Sequence, residues 1–285
     1  MLSAMSKIAI IGGGNLGEAL LSGLLRAGRQ AEDVVVVERM PQRAAYLSET
    51  YAVTVAPGDA ATEAVAGASV IIVAVKPADV AAFLDQISAV TWPLVPVIVS
   101  VAAGVTVDFY EAKLGAGIPV VRAMPNAAAL VGAGVTALSR GQWVDDDQFQ
   151  AVASMLEAVG AVLAVAESQM DAVTALSGSG PAYFLLMVEA LVDAGVAAGL
   201  TRAVASELAA HTLAGSGAML LDRMGDGAGL GLDTSPAQLR AMVTSPGGTT
   251  AAGLRELEKG GLRAAVDAAI QAAQRRSEQL RITFG

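Results

Sequence analysis

Through the first half of the chain, short apolar runs rich in valine and isoleucine alternate with amphipathic stretches. The runs predict strands over residues 7–11, 34–37, 53–55, 69–75, 97–100, 120–122 and 135–138. Between several of them lie stretches with helical spacing, such as 14–27 and 79–90. Alternation of this kind reads as βαβ units on a mostly parallel sheet. Residues 145–159 continue as a helix, and 162–165 as one more short strand. Beyond about residue 166 the strand pattern stops. The segments 167–176, 181–198, 202–223, 236–243, 250–259 and 262–280 all carry helical spacing. The predicted fold class is therefore α/β, an N-terminal Rossmann-type doubly wound sheet followed by an all-α domain. The domains are placed at 1–164 and 165–285. The glycine-rich stretch "MGDGAGLGLDTS" (224–235) reads as a mobile loop.

One helical segment departs from the amphipathic rule. "PAYFLLMVEALVDAGVAAG" (181–199) is apolar on nearly every side, with charge only at Glu189 and Asp193. A helix apolar all round is buried all round. Either a second copy of the chain covers it, which predicts a homo-oligomer, or its own domain encloses it. The interface reading is preferred. Composition agrees with it: hydrophobic residues make up 54% of the 285, and charged residues only 16%. Apolar runs such as "AVAGASVIIVAV" (64–75) are short of the roughly 20 residues a membrane span needs, so no span is expected. The start of the chain reads as a strand and turn, not as a signal peptide.

Charge and residue counts exclude several functions. The formal net charge is −9 and there is no run of Lys or Arg, which argues against nucleic-acid or membrane-surface binding. The chain has no cysteine and one histidine, His211. Disulfides, thiolate metal sites and multi-histidine metal sites are thereby excluded, and a cytoplasmic location is expected.

"IAIIGGGNLGEALL" (8–21) fits strand, turn and helix. Gly12, Gly14 and Gly17 satisfy the dinucleotide-binding pattern, with Asn15 and Leu16 between them. The first glycine permits the tight turn, the second lets a pyrophosphate approach, and the third packs helix on strand. The second strand ends "VVVVERMPQR", giving Glu38 and then Arg39. An acid there binds ribose hydroxyls, whereas an arginine accepts a 2′-phosphate. The pair favours NADP, with NAD open; the alternative makes Arg39 and Arg43 a solvated helix start. "VAVKP" places Ala74, Val75, Lys76 and Pro77 at a strand's carboxyl end, where a cofactor crevice lies. "SVAAG" places Ala102, Ala103 and Gly104 at the end of the next strand, where small residues leave room for a nicotinamide.

Two further glycine-rich stretches lie in the helical half. "ALSGSGPAYF" (175–184) reads as a loop leading into a helix with Pro181 in its first turn. "SPGGTTAAGL" (245–254) exposes several N–H groups beside hydroxyls, a carboxylate site without a basic side chain. The alternative is ordinary capping by Thr249 or Thr250.

In order and spacing, the glycine turn, "AVKP", "RAMPN", "LSGSGPAY" and "SPGGTT" resemble the pyrroline-5-carboxylate reductases, across essentially the whole chain. The resemblance implies reduction of 1-pyrroline-5-carboxylate to L-proline by NAD(P)H. It implies a Rossmann domain followed by a helical dimerisation domain, and a homodimer that assembles further, often to a decamer. It places the active site between the cofactor and the helical domain, with a partner subunit contributing. It implies substrate binding at Ser245, Gly247, Gly248, Thr249 and Thr250, and the amides of 247–250 can hold the carboxylate. Thr250 is the residue whose hydroxyl meets the ring nitrogen, and Glu167 matches a position near the substrate, with Asp233 a weaker candidate. The sequence departs from the family at Ala127-Ala128, where Thr-Pro is common. Two other functions compete: a two-domain Rossmann dehydrogenase acting on alcohols, and a non-catalytic NADP sensor. The first needs a helical-domain lysine, and the only one is Lys259 at a helix end.

Overall fold

The computed structural model describes residues 7–226 and 236–281. Most of the predicted loop, and Asp233 with it, lies outside the described residues.

One eight-stranded sheet carries the first half of the chain, in the order β3-β2-β1-β4-β5-β6-β7-β8. Its strands are β1 (Ile8–Ile11), β2 (Val34–Val37), β3 (Thr54–Ala56), β4 (Val70–Val73), β5 (Val97–Ser100), β6 (Val120–Pro125), β7 (Gly134–Arg140) and β8 (Gly160–Ala164). All neighbours pair parallel except β6 with β7. Ile8 stands opposite both Val34 and Val70, so β1 is central and the chain reverses direction of growth between β1 and β4. In an open parallel sheet that reversal leaves a crevice at the strand carboxyl ends.

The helices α1 (Asn15–Arg26), α2 (Pro41–Tyr51), α3 (Ala61–Val65), α4 (Pro77–Ile87), α5 (Val107–Leu114) and α6 (Asp146–Leu156) cover the sheet. Strand alternation sends every second side chain to each face. Ile8, Ile10, Val34, Val36, Val70 and Ile72 pack with Leu20, Leu21 and Leu24 of α1 and with Val152 and Leu156 of α6. Ala9, Ile11, Ile71 and Val73 pack with Val80, Leu84 and Ile87 of α4 and with Tyr110 of α5. Burial on both faces explains why these strands read as unbroken apolar runs. Asp145 and Gln148 form a reciprocal cap at the start of α6, one residue from the predicted helix start. The predicted strand over 162–165 begins earlier, at Gly160, whose φ of 141° only glycine adopts freely.

The remaining helices are α7 (Met170–Val173), α8 (Gly180–Ala197), α9 (Arg202–Asp226), α10 (Pro236–Met242), α11 (Thr249–Lys259) and α12 (Leu262–Gln279). The predicted loop over 175–184 is corrected here. Thr174–Gly178 is a π-helical turn, with Ser179 N–H donating to Thr174 O at 2.9 Å. Gly178 serves a close approach: a methyl there would stand 2.7 Å from Met124 Cε. Helix therefore runs from Glu167 to Ala197, 31 residues with one bend at Ser179, and its most apolar 18-residue window has a mean hydropathy of 1.4. By length and composition alone that window, which is α8 itself, is long and apolar enough to cross a membrane, a test the core helix of a soluble protein also passes. Only 11% of that window is buried.

The chain packs as two compact units, one running to Pro181 and resuming at Ile270, the other Ala182–Ala269. Strands end at Ala164, beside the boundary read from the sequence, while compactness divides the chain later. The reason is a buried knot: Asp171 accepts hydrogen bonds from Ser277 Oγ (2.7 Å) and Arg281 Nε (2.9 Å), tying the end of α12 to the sheet unit. Leu280 belongs to the same tie, since a methyl on Gly104 would meet its carbonyl oxygen at 2.8 Å.

Candidate functional site

The crevice beside β1 and β4 is a cleft of about 590 Å³. Its floor is the first glycine turn. Gly12 has φ 106°, and a methyl there would stand 2.8 Å from Ala74 O, so only glycine closes the turn against β4. A methyl on Gly17 would lie 2.0 Å from Gly12 O, which holds α1 close to its own strand. Gly14 caps α1 with open space where its side chain would be. Nothing therefore stands between an incoming anion and the first amides of α1, which have no intrahelical acceptor.

Gly12, Gly14, Asn15, Leu16, Glu38 and Arg39 all line this cleft. So do Ala74, Val75, Lys76, Pro77, Ala102 and Ala103. Gly17 and Gly104 do not; the first packs beneath the turn and the second beneath Leu280. The sequence missed Gly58, which follows β3, and Asp79, Phe83 and Gln86, which follow each other at helical spacing on α4. Their i, i+4, i+7 spacing is the one signal that could have found them.

The acid and the arginines after β2 have distinct tasks. Glu38 Oε2 accepts from Gly13 N–H at 2.9 Å and Oε1 from Met40 N–H at 2.8 Å. Its charge is engaged by the backbone of the turn. Arg43 donates from Nε to Gly13 O at 2.7 Å and from Nη2 to Glu18, which also accepts from Tyr51 OH at 2.8 Å. Burial raises the Glu18 carboxyl, but the hydrogen bonds from Arg43 and Tyr51 outweigh it and hold the group below 4.5. Arg43 is thus fixed under the turn, contrary to a solvated helix start. Arg39 remains at the rim of the cleft, where Nη2 meets Asp79 Oδ2 at 2.9 Å.

A second polar cluster lies in the same unit. Arg122 on β6 is buried and donates from Nη1 to Glu167 Oε1 at 2.7 Å. Glu167 Oε1 also accepts from Val107 N–H at 3.3 Å. Glu167 is therefore paired and half-buried. Arg122 Nη2, Glu167 Oε2 and Ser177 Oγ are buried without hydrogen-bond partners. Nearby, Ser100 Oγ donates to Tyr110 OH at 2.8 Å, and burial pushes the Tyr110 hydroxyl far above its ordinary value.

In the helical unit, "SPGGTT" forms a tight turn that opens α11. Gly247 has φ 70°, and Gly248 N–H donates to Ser245 O at 3.1 Å. Gly248 is the cap residue and receives no side-chain hydrogen bond, which overturns capping by Thr249 or Thr250. The amides of the first turn of α11 thus point outward without a side-chain acceptor, beside two exposed threonines. Main-chain N–H groups so placed can receive an anion, and the dipole of the helix adds to that capacity. His211 is exposed on α9, and Lys259 pairs with Glu256 at the exposed end of α11. Neither has the buried setting of a catalytic base.

Comparison with known proteins agrees with this layout. Residues 167–280 match the family described as pyrroline-5-carboxylate reductase dimerisation. Residues 7–104 match the family described as NADP oxidoreductase, coenzyme F420-dependent. The pyrroline-5-carboxylate reductase of Mycobacterium leprae is 64% identical over 295 residues, covering 99% of each chain. The solved pyrroline-5-carboxylate reductase of Coxiella burnetii superposes with a TM-score of 0.88 at 35% identity, covering 98% of this chain and 100% of that one. The Plasmodium falciparum pyrroline carboxylate reductase, solved with NADP bound, gives a TM-score of 0.81 at 28% identity, covering 96% and 97%. A cleft shaped for a dinucleotide, an uncapped amide turn in a helical unit and identity of this extent over the full length lead to one conclusion: the chain belongs to the pyrroline-5-carboxylate reductase family.

Proposed function

We propose that this chain reduces 1-pyrroline-5-carboxylate to L-proline with hydride from NADPH, the last step of proline biosynthesis. The observation that carries this reading is the full-length, 64% identity to a reductase of that name in a chain that keeps both glycine turns. NADP fits the sheet unit. The glycine cradle leaves room at Gly14, and both Glu38 oxygens accept backbone N–H groups while Arg39 stands at the rim. NADH is the weaker alternative for the same cleft. The bound dinucleotide supplies a hydride; the chain supplies position, charge and the exclusion of water.

The substrate is a five-membered imine bearing a carboxylate. Ser245, Gly247, Gly248 and Thr249 hold the carboxylate through main-chain N–H groups and the serine hydroxyl. Thr250 directs its hydroxyl at the ring nitrogen and polarises the C=N bond. An alcohol is a poor acid, so the proton arrives already on the substrate or through water. Glu167 supports this step: Arg122 and Val107 N–H fix one oxygen, and the unpartnered Oε2 is the acceptor we assign to a substrate-linked water. The match to a dimerisation family over 167–280 supports a homodimer, and we place further assembly to a decamer, in the cytoplasm, on the same reading. The test is direct. Purified protein mixed with NADPH and pyrroline-5-carboxylate consumes the nicotinamide absorbance and forms proline; absence of both products ends the proposal.

A further inference from the structure

We infer that Asp79 is an internal stand-in for the cofactor's 2′-phosphate, and that it lowers the preference of the cleft for NADPH over NADH. The inference rests on the assignment of Arg39 as the phosphate ligand. Arg39 is held in two places. Its stem lies against Gly58, where a methyl would come within 2.5 Å of Arg39 Cγ. Its guanidinium Nη2 is 2.9 Å from Asp79 Oδ2, on the first turn of α4. These residues come from three separate elements and all line the cleft.

Two of the other charges beside the turn are already engaged, and Lys76 also lines the cleft, just past the end of β4. Glu38 binds the Gly13 and Met40 N–H groups, and Arg43 binds Gly13 O and Glu18. The Arg39–Asp79 pair is different in kind. It is exposed, with side-chain accessibilities of 70% and 35%, and it spans the rim from β2 to α4. A guanidinium presents the same planar donors to a carboxylate as to a phosphate. A 2′-phosphate that engages Nη2 must therefore displace Asp79, and a carboxylate then remains beside the incoming dianion. NADH carries a neutral hydroxyl at that position and leaves the pair in place. Asp79 thus acts against the phosphorylated cofactor alone. Loss of an exposed pair and relief of a screened like-charge contact correspond to an effect of about 3- to 10-fold.

The experiment is a calorimetric titration of the whole protein, its Asp79→Asn and Arg39→Ala variants and the double variant. The probes are NADPH, NADH, 2′-AMP and 5′-AMP. Asp79→Asn is expected to tighten NADPH and 2′-AMP about 3- to 10-fold while NADH and 5′-AMP stay within about twofold. The gain shrinks in the Arg39→Ala background to the part that comes from like-charge relief alone. Weaker NADPH binding by Asp79→Asn would show that Asp79 holds Arg39 in its working position, and overturns the proposal. So does no change, or an equal change for both cofactors. If Arg39→Ala alone fails to separate NADPH from NADH, the assignment of Arg39 is wrong and the inference falls with it. If Arg39→Ala separates them and Asp79→Asn does not, only the stand-in role is lost.

Discussion

The two compact units treat their apolar residues in opposite ways. In the sheet unit Ile8, Ile10, Ile71, Ile72 and Leu84 are fully buried. In the helical unit Phe184, Leu185, Leu186 and Leu191 of α8 are 52–66% exposed, and Val192 and Ala205 are the only buried hydrophobics among its described residues. The sheet unit completes its own core, so its glycine cleft is formed by one chain alone. The helical unit lacks the partner atoms that would cover α8. A contiguous apolar face of this kind marks an association surface, in keeping with the dimerisation family matched over 167–280. The cofactor cleft is thus lined within the sheet unit, and the exposed apolar face lies in the unit that bears the amide turn.

Four experiments act on that contrast. Thr250→Ala touches the helical half alone. It should lower kcat/KM about 10- to 1000-fold, the value of one preorganised donor, while NADPH affinity holds. A variant with full activity would remove Thr250 from the reaction. Gly12→Ala touches the sheet half. The new methyl meets Ala74 O in a left-handed turn, and strain plus displacement of the amides should weaken NADPH about 100-fold. Sedimentation should show the same oligomer as the parent; dissociation would tie the two halves together more closely than argued above.

Leu186→Asp places a charge on the exposed face of α8. It should weaken subunit association about 30-fold or more, read by sedimentation, with NADPH binding retained. An unshifted association constant would mean that α8 is covered by something else. The smallest effect is on the acid side of the stability curve. Glu18 titrates below the ordinary carboxylate range in the folded chain. Its contribution is therefore complete above the unfolded value and is lost as pH falls through the folded one. Glu18→Gln should cost about 1 kcal/mol at neutral pH, and the difference from the parent should close as the acid limb is descended through the lowered folded value. A difference that stays constant into acid would show that packing, not charge, joins Glu18 to Arg43.

Much of the site was legible because it is local. The turn at Gly12–Gly17, the strand ends at Ala74–Pro77 and the Gly247–Thr250 turn are short segments whose conformation follows from their own residues. What escaped reading is held by distant pairs. Gly58 and Asp79 join Arg39 only through the stacking of β2, β3 and α4. Glu167 finds Arg122 across 45 positions, and no spacing rule links them. Gly104 was read among the small residues that leave room for a nicotinamide; it does not line the cleft, and a methyl there would meet Leu280 O, 176 positions on. Helix α5 escaped notice because it is short, and its buried Val107, Phe109 and Tyr110 make no long periodic face.

By itself, the sequence determined the parallel sheet, the phosphate turn and the outward amides before α11, because period, glycine placement and helix starts act within a few residues. Only the tertiary structure decided which carboxylate answers each arginine, where the last helix is fastened and that α7 and α8 run on through a π turn. Those outcomes depend on side chains meeting across the fold, where burial and charge choose among partners the chain order does not rank.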